Sequence, residues 1–86
     1  MDNIKGGEKM DANGGIQAII REYDRASSIF PAFNTAHEGL AVIEEEFLEL
    51  RAEVFVNHKE RSHIMMRKEA THLAAMCLRF LIDVKE

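Results

Sequence analysis

Leu40-Ala-Val-Ile43-Glu-Glu-Glu-Phe47-Leu-Glu-Leu50-Arg-Ala-Glu-Val54 carries its apolar residues alternately three and four apart, at Leu40, Ile43, Phe47, Leu50 and Val54. That spacing is the seam of an antiparallel helical bundle or coiled coil. The stretch therefore predicts a helix with Phe47 at the middle of its apolar face. Just upstream, Thr35-Ala-His-Glu38 matches a capping box, in which the Thr hydroxyl accepts from the backbone of the third helical residue while Glu38 reaches back. The helix is expected to start there and to end near Val56.

Working outward, Ile16, Ile19, Ile20 and Tyr23 repeat at helical spacing, and the pattern runs to Phe30 before Pro31 stops it. On the other side, Asn57-His58-Lys59-Glu60 is polar enough to turn the chain, and Asn57 with Glu60 offers a cap for the next helix. A third helix then spans about Arg61 to Val84. Between Leu73 and Ile82 only Arg79 is strongly polar, so this helix needs cover on more than one side. Two further helices from one chain cover it poorly. The expected fold is thus all-α, a three-helix antiparallel subunit that completes a helical bundle by oligomerisation, as a homodimer or homotetramer. Residues 1–15, with Gly6-Gly7 and Gly14-Gly15, hold too little apolar surface to offset the entropy of ordering, and read as a flexible N-terminal tail before a helical domain at 16–86.

Composition sets the outer limits. A chain of 86 residues, 47% hydrophobic and 30% charged, fits one folded domain and is too apolar for a disordered one. The net charge of −4 and the lack of a basic stripe argue against a nucleic-acid polymer as partner. Cys77 is the only cysteine, which excludes an internal disulfide or a Cys-based zinc site, and its apolar neighbours predict a small buried core residue. No apolar run reaches the roughly 18 residues that span a bilayer, and the N-terminus lacks the order of a signal peptide, so the expected location is the cytoplasm, with no membrane partner.

The residues able to carry chemistry are acidic. At about 100° per residue, Glu46, Glu49 and Glu53 fall within roughly 60° of one another on a face turned away from Phe47, with Glu45 at its border. Alone, such a run is a solvated face. Glu69 is different, because it sits at the centre of an apolar stripe formed by Met65, Leu73, Met76 and Phe80. A carboxylate in that position needs a cation, a metal or a proton. His72 shares the face, and Asp83 lies further along it. Two helices that each present acids one turn apart can surround hard divalent cations such as Mg²⁺ or Mn²⁺. His37 reads as local helix-start structure, His58 and His63 as solvent-exposed, and Met65, Met66 and Met76 as core filling.

The run His37-Glu-Gly-Leu-Ala-Val-Ile-Glu-Glu-Glu-Phe-Leu-Glu-Leu50, followed by Glu69-Ala-Thr-His-Leu-Ala-Ala-Met76 and Asp83, resembles the MazG-like branch of the all-α nucleoside triphosphate pyrophosphohydrolases. That family pairs ExxE with a later ExxD. Here ExxE falls on Glu46-Phe-Leu-Glu49, and the second motif begins at Glu69. The lead-in Glu22-Tyr-Asp-Arg-Ala, then Phe30-Pro-Ala-Phe and His37-Glu, is similar to small phage and prokaryotic members, so the resemblance covers most of residues 20–85. It implies Mg²⁺, or Mn²⁺, held by Glu46, Glu49, Glu69 and the residue at position 72, with Glu45 orienting or deprotonating the attacking water. The implied substrate is a nucleoside triphosphate, cleaved to monophosphate and pyrophosphate. The departure is His72, which stands where the family has Asp. A neutral imidazole can ligate a metal but removes one negative charge and favours softer ions. The alternative is a catalytically degenerate helical oligomer that binds nucleotide or metal. Arg67, Lys68 and Arg79 are candidates for the triphosphate only by default.

Overall fold

In the computed structural model, which describes residues 10–85, three helices follow one another: α1 (Ala12–Ile29), α2 (Ala36–Val54) and α3 (His63–Asp83), with a 3₁₀ turn at His58–Glu60 before the last. Among the described residues there is no strand, as the all-α reading expects. Each helix opens on a side-chain cap. Asp11 accepts from the Gly14 N–H at 2.8 Å, Thr35 from that of Glu38 at 3.0 Å, and Ser62 from that of Met65 at 3.1 Å. Each cap satisfies an amide that has no partner within its helix.

The caps also move the expected boundaries. Asp11 starts α1 at Ala12, so residues 12–15 are helical where a tail was expected. The expected tail at 1–9 lies outside the described residues. Ser62, not Asn57, opens α3, and Asn57 caps the 3₁₀ turn by accepting from the Lys59 N–H at 2.9 Å. Glu38 reaches back, but to the Asn34 N–H at 2.6 Å, one residue upstream of the cap.

The helices run up, down, up. Gly39 meets Phe80 and Glu46 meets His72, so α2 is antiparallel to α3. Glu22 lies opposite His72 and Pro31 opposite Arg79, so α1 runs in the same direction as α3. Among the described residues α3 packs on both neighbours, while α1 and α2 do not pack on each other. The apolar run in α3 thus has cover on two sides. The core is Ala26, Phe33, Ala75 and Met76, bordered by Ile19, Tyr23, Val42, Ile43, Phe80 and Val84.

The face that α2 turns inward differs from the expected seam. Gly39 is buried and Val42, Ile43, Glu46, Leu50 and Glu53 are half-buried, whereas Leu40, Phe47 and Val54 are exposed. The reason is Gly39. With only a hydrogen in place of a side chain, it lets the rings of Phe80 and Phe33 press onto the α2 backbone, and a Cβ there meets Phe80 Cδ2 at 2.7 Å and Phe33 Cδ2 at 3.1 Å. Contact at Gly39 rotates α2 so that the stripe through Glu46, not the one through Phe47, faces α3. Cys77 is also exposed rather than buried.

Arg79 is not available to a triphosphate as a surface cation. Its residue is 3% exposed, its guanidinium donates to the Pro31 carbonyl at 2.6 Å and lies 4.4 Å from the Phe33 ring centre. Asp83 accepts from the Phe33 N–H at 3.1 Å. Together the two side chains fasten the α1–α2 connection to the end of α3.

Gly39→Ala tests the tight contact. Helix propensity alone favours alanine by about 1 kcal/mol, but displacing two packed rings costs about 1–3 kcal/mol. Thermal denaturation followed by circular dichroism is expected to show a lower melting temperature; a higher one means that the rings yield and that Gly39 does not set the rotation of α2.

Candidate metal centre

Glu46 lies seven residues beyond Gly39, two turns along the same face, and is therefore carried inward with it. Glu69 and His72 stand one turn apart on α3. The three ligand atoms they offer lie within 4.8 Å of one another. His72 Nδ1 is 3.6 Å from Glu46 Oε1 and 3.7 Å from Glu69 Oε1. These separations are too long for good hydrogen bonds. Both carboxylate oxygens are buried and have no hydrogen-bond partner. Glu69 as a whole is 8% exposed. Two buried acceptors facing one imidazole nitrogen leave a gap that a cation fits, since divalent ions bind such atoms at about 2.0–2.2 Å.

α1 supplies a residue that the motif reading did not assign. Glu22 Oε2 faces His72 Nε2 at 3.7 Å, on the side away from the two carboxylates. Arg25 grips Glu22 from the next turn, with Nη2 donating to Oε2 at 2.6 Å and Nε to Oε1 at 2.9 Å. The separation of Glu22 from His72 too is long for a hydrogen bond, but it sets a carboxylate beside the far nitrogen, where outer carboxylates support metal-bound histidines. The sequence did carry a signal for Glu22, its pairing with Arg25 at a three-residue spacing.

The electrostatics follow from burial. Burial, and then the charge of Glu49, hold the Glu46 carboxyl above the ordinary carboxylate range; Glu69 and Glu45 add to this and His72 opposes it. The hydrogen bond from Arg25 holds the Glu22 carboxyl below that range, against its burial, with help from His72 and Lys68.

Of the residues expected to form the site, Glu46, Glu69 and His72 converge. Glu49 and Glu45 stay exposed on α2 and outside that triad. Glu45 nevertheless lines a cavity of about 370 Å³ beside the cluster, along with Glu22, Glu46, His72, Phe30 and Phe33. That volume lies in the range of small-molecule sites, roughly 300–1,000 Å³. The cavity wall combines apolar side chains, among them Val42 and Met76, with acids and with Arg25 and Arg79. His37, His58 and His63 are exposed and take no part in the cluster.

No family model, curated protein or solved structure matches the chain. The chemistry is therefore read from the donor set. Two carboxylates and one imidazole make an oxygen-rich, partly nitrogenous site, better suited to Mn²⁺ than to Mg²⁺.

Glu46→Gln separates stability from binding. Because the folded-state carboxyl titrates above its ordinary range, ionised Glu46 weakens the metal-free fold at neutral pH. The variant is expected to melt higher than the wild type in chelator, and this advantage to shrink as the pH falls through the Glu46 titration, where the native side chain takes up its proton. With Mn²⁺ at about 100 times its dissociation constant, the wild type should gain about 2.7 kcal/mol, or roughly 10–20 °C, and the variant far less. A wild-type melting temperature that ignores Mn²⁺ counts against a metal centre.

Proposed function

We propose that the chain is a metal-dependent nucleoside triphosphate pyrophosphohydrolase of the MazG-like type, with the metal held by Glu46, Glu69 and His72. One observation carries this reading: the two orphaned carboxylate oxygens come from the two motif helices and meet at His72 beside a cavity. A bound divalent ion supplies the positive charge that phosphoryl oxygens need as the anhydride bond opens.

The chain's own residues do the rest. Glu45, on the cavity wall, orients a water and takes its proton as the water oxygen attacks the α-phosphorus. The α–β anhydride bond breaks, and pyrophosphate leaves with the electron pair. Glu22 holds His72 in register, and Arg25 holds Glu22. Phe30 and Phe33 add apolar wall to the cavity, which limits stray water near the anhydride. Glu49 acts on the cluster through its charge rather than as a ligand.

The same reading includes a second copy of the chain. Leu40, Phe47, Leu48, Val54 and Phe55 are exposed on α2 and its C-terminal end, Leu48 at 59% and Phe55 at 71%. Contiguous apolar surface on so small a domain marks an interface. Phe47→Glu is expected to convert an oligomer to a single-chain species in size-exclusion chromatography with light scattering; a wild type that is already a monomer overturns this part.

A second reading is favoured by His72, which stands where the family carries Asp. With one charge fewer, the site binds metal and nucleotide but turns nothing over. Pyrophosphate release from natural and modified triphosphates, measured with Mg²⁺ and with Mn²⁺, distinguishes the two. Turnover that is faster with Mn²⁺ and falls about 100-fold or more in Glu69→Gln supports the enzyme; nucleotide binding without turnover supports the degenerate binder.

A further inference from the structure

A second groove, of about 290 Å³, opens between α1 and α3 on the far side of Glu22 and His72 from the acidic cluster. Its walls are Arg21, Arg25, Lys68 and Thr71, with Glu22, His72 and Ala18 completing it. Because α1 and α3 run in the same direction, two side chains spaced four apart on one helix, Arg21 and Arg25, face two spaced four apart on the other, Lys68 and His72. Successive rungs of such a ladder are about 6 Å apart along the axis.

The charge in this groove is unusual for the chain. The protein is acidic, with a net charge of −4, yet three cations gather in one groove. Only Arg25 has a carboxylate partner, Glu22; among the described residues Arg21 and Lys68 make no ion pair. Thr71 already donates its hydroxyl proton to the Arg67 carbonyl at 2.7 Å, so recognition of an anion falls to the cations. Arginine forks match phosphate oxygens two at a time, and lysine adds a point charge. The groove shares Glu22, Arg25 and His72 with the larger cavity, so the two openings adjoin.

We propose that this groove is a polyphosphate subsite, which holds the two terminal phosphates of the substrate and then the leaving pyrophosphate. The assignment rests on the pyrophosphohydrolase reading above. It pairs Lys68 of α3 with Arg21 of α1, a helix outside both motifs, while the Arg25 fork stays engaged with Glu22 and adds only its charge. The ladder suits linked phosphates, because each charged group of a diphosphate can engage a different rung.

Calorimetric titration of the full chain with inorganic pyrophosphate, in the presence of Mn²⁺, tests it. Arg21→Ala and Lys68→Ala are each expected to weaken pyrophosphate binding by about tenfold, and Arg21→Lys to recover part of the loss. Arg51→Ala, whose guanidinium lies 4.6 Å from the Phe55 ring centre on α2, should bind as the wild type does. The Mn²⁺-induced rise in melting temperature should persist in the Arg21 and Lys68 variants, which shows that the fold and the cluster are intact. Wild-type pyrophosphate affinity in both alanine variants overturns the subsite, as does orthophosphate binding as tightly as pyrophosphate. Pyrophosphate binding that needs Arg21 and Lys68, in a protein that hydrolyses no triphosphate, upholds the subsite and sinks the pyrophosphohydrolase reading. Hydrolysis unaffected by either substitution does the reverse.

Discussion

The close approach of α2 to α3 at Gly39 is the contact on which the rest depends. Because no side chain stands there, the Phe80 ring lies against the α2 backbone, and the rotation of α2 about its axis follows. Glu46, two turns further on, is carried toward α3, while Phe47 is carried away from it. A helix rotated by one residue's 100° would bury the phenylalanine and leave the acid in water. The acidic cluster is thus a consequence of packing at a position that bears no chemistry of its own.

That packing imposes a cost at the other end of the helix. Glu46 and Glu69 each bury an oxygen without a partner, and buried unpaired carboxylates destabilise a fold. A small domain has little stability to spare. Such an arrangement makes physical sense where a cation completes it, and the carboxylate–imidazole–carboxylate line from Glu22 through His72 to Glu46 resembles the outer support of a metal ligand more than a core hydrogen-bond network. The Arg79 and Asp83 fastenings at the α1–α2 connection keep α1, and with it Glu22, in place against α3.

Much of this was legible along the chain. The all-α class, the three helices and the Thr35 cap follow from spacing and local hydrogen bonding, and so does the burial of Glu69, since the apolar residues around it in α3 leave no other face for it. Glu46 was legible as a motif position but not as an inward-facing one. The expected seam through Leu40, Ile43, Phe47, Leu50 and Val54 and the stripe that faces inward share Ile43 and Leu50, so apolar spacing alone does not fix how α2 is rotated. Glu22 and the basic groove were less legible still, because both depend on which residues of α1 face which residues of α3.

The sequence by itself determined the three helices, the Thr35 cap and the acids that can bind a cation, because helix periodicity and capping are local and act within a few residues. Only the tertiary structure decided which stripe of α2 faces inward, that Arg79 fastens a loop rather than meeting solvent, and that Glu22 of α1 reaches His72 of α3. Those outcomes rest on contacts between residues tens of positions apart, such as Gly39 with Phe80. No local pattern encodes the fit of a ring against a bare stretch of backbone.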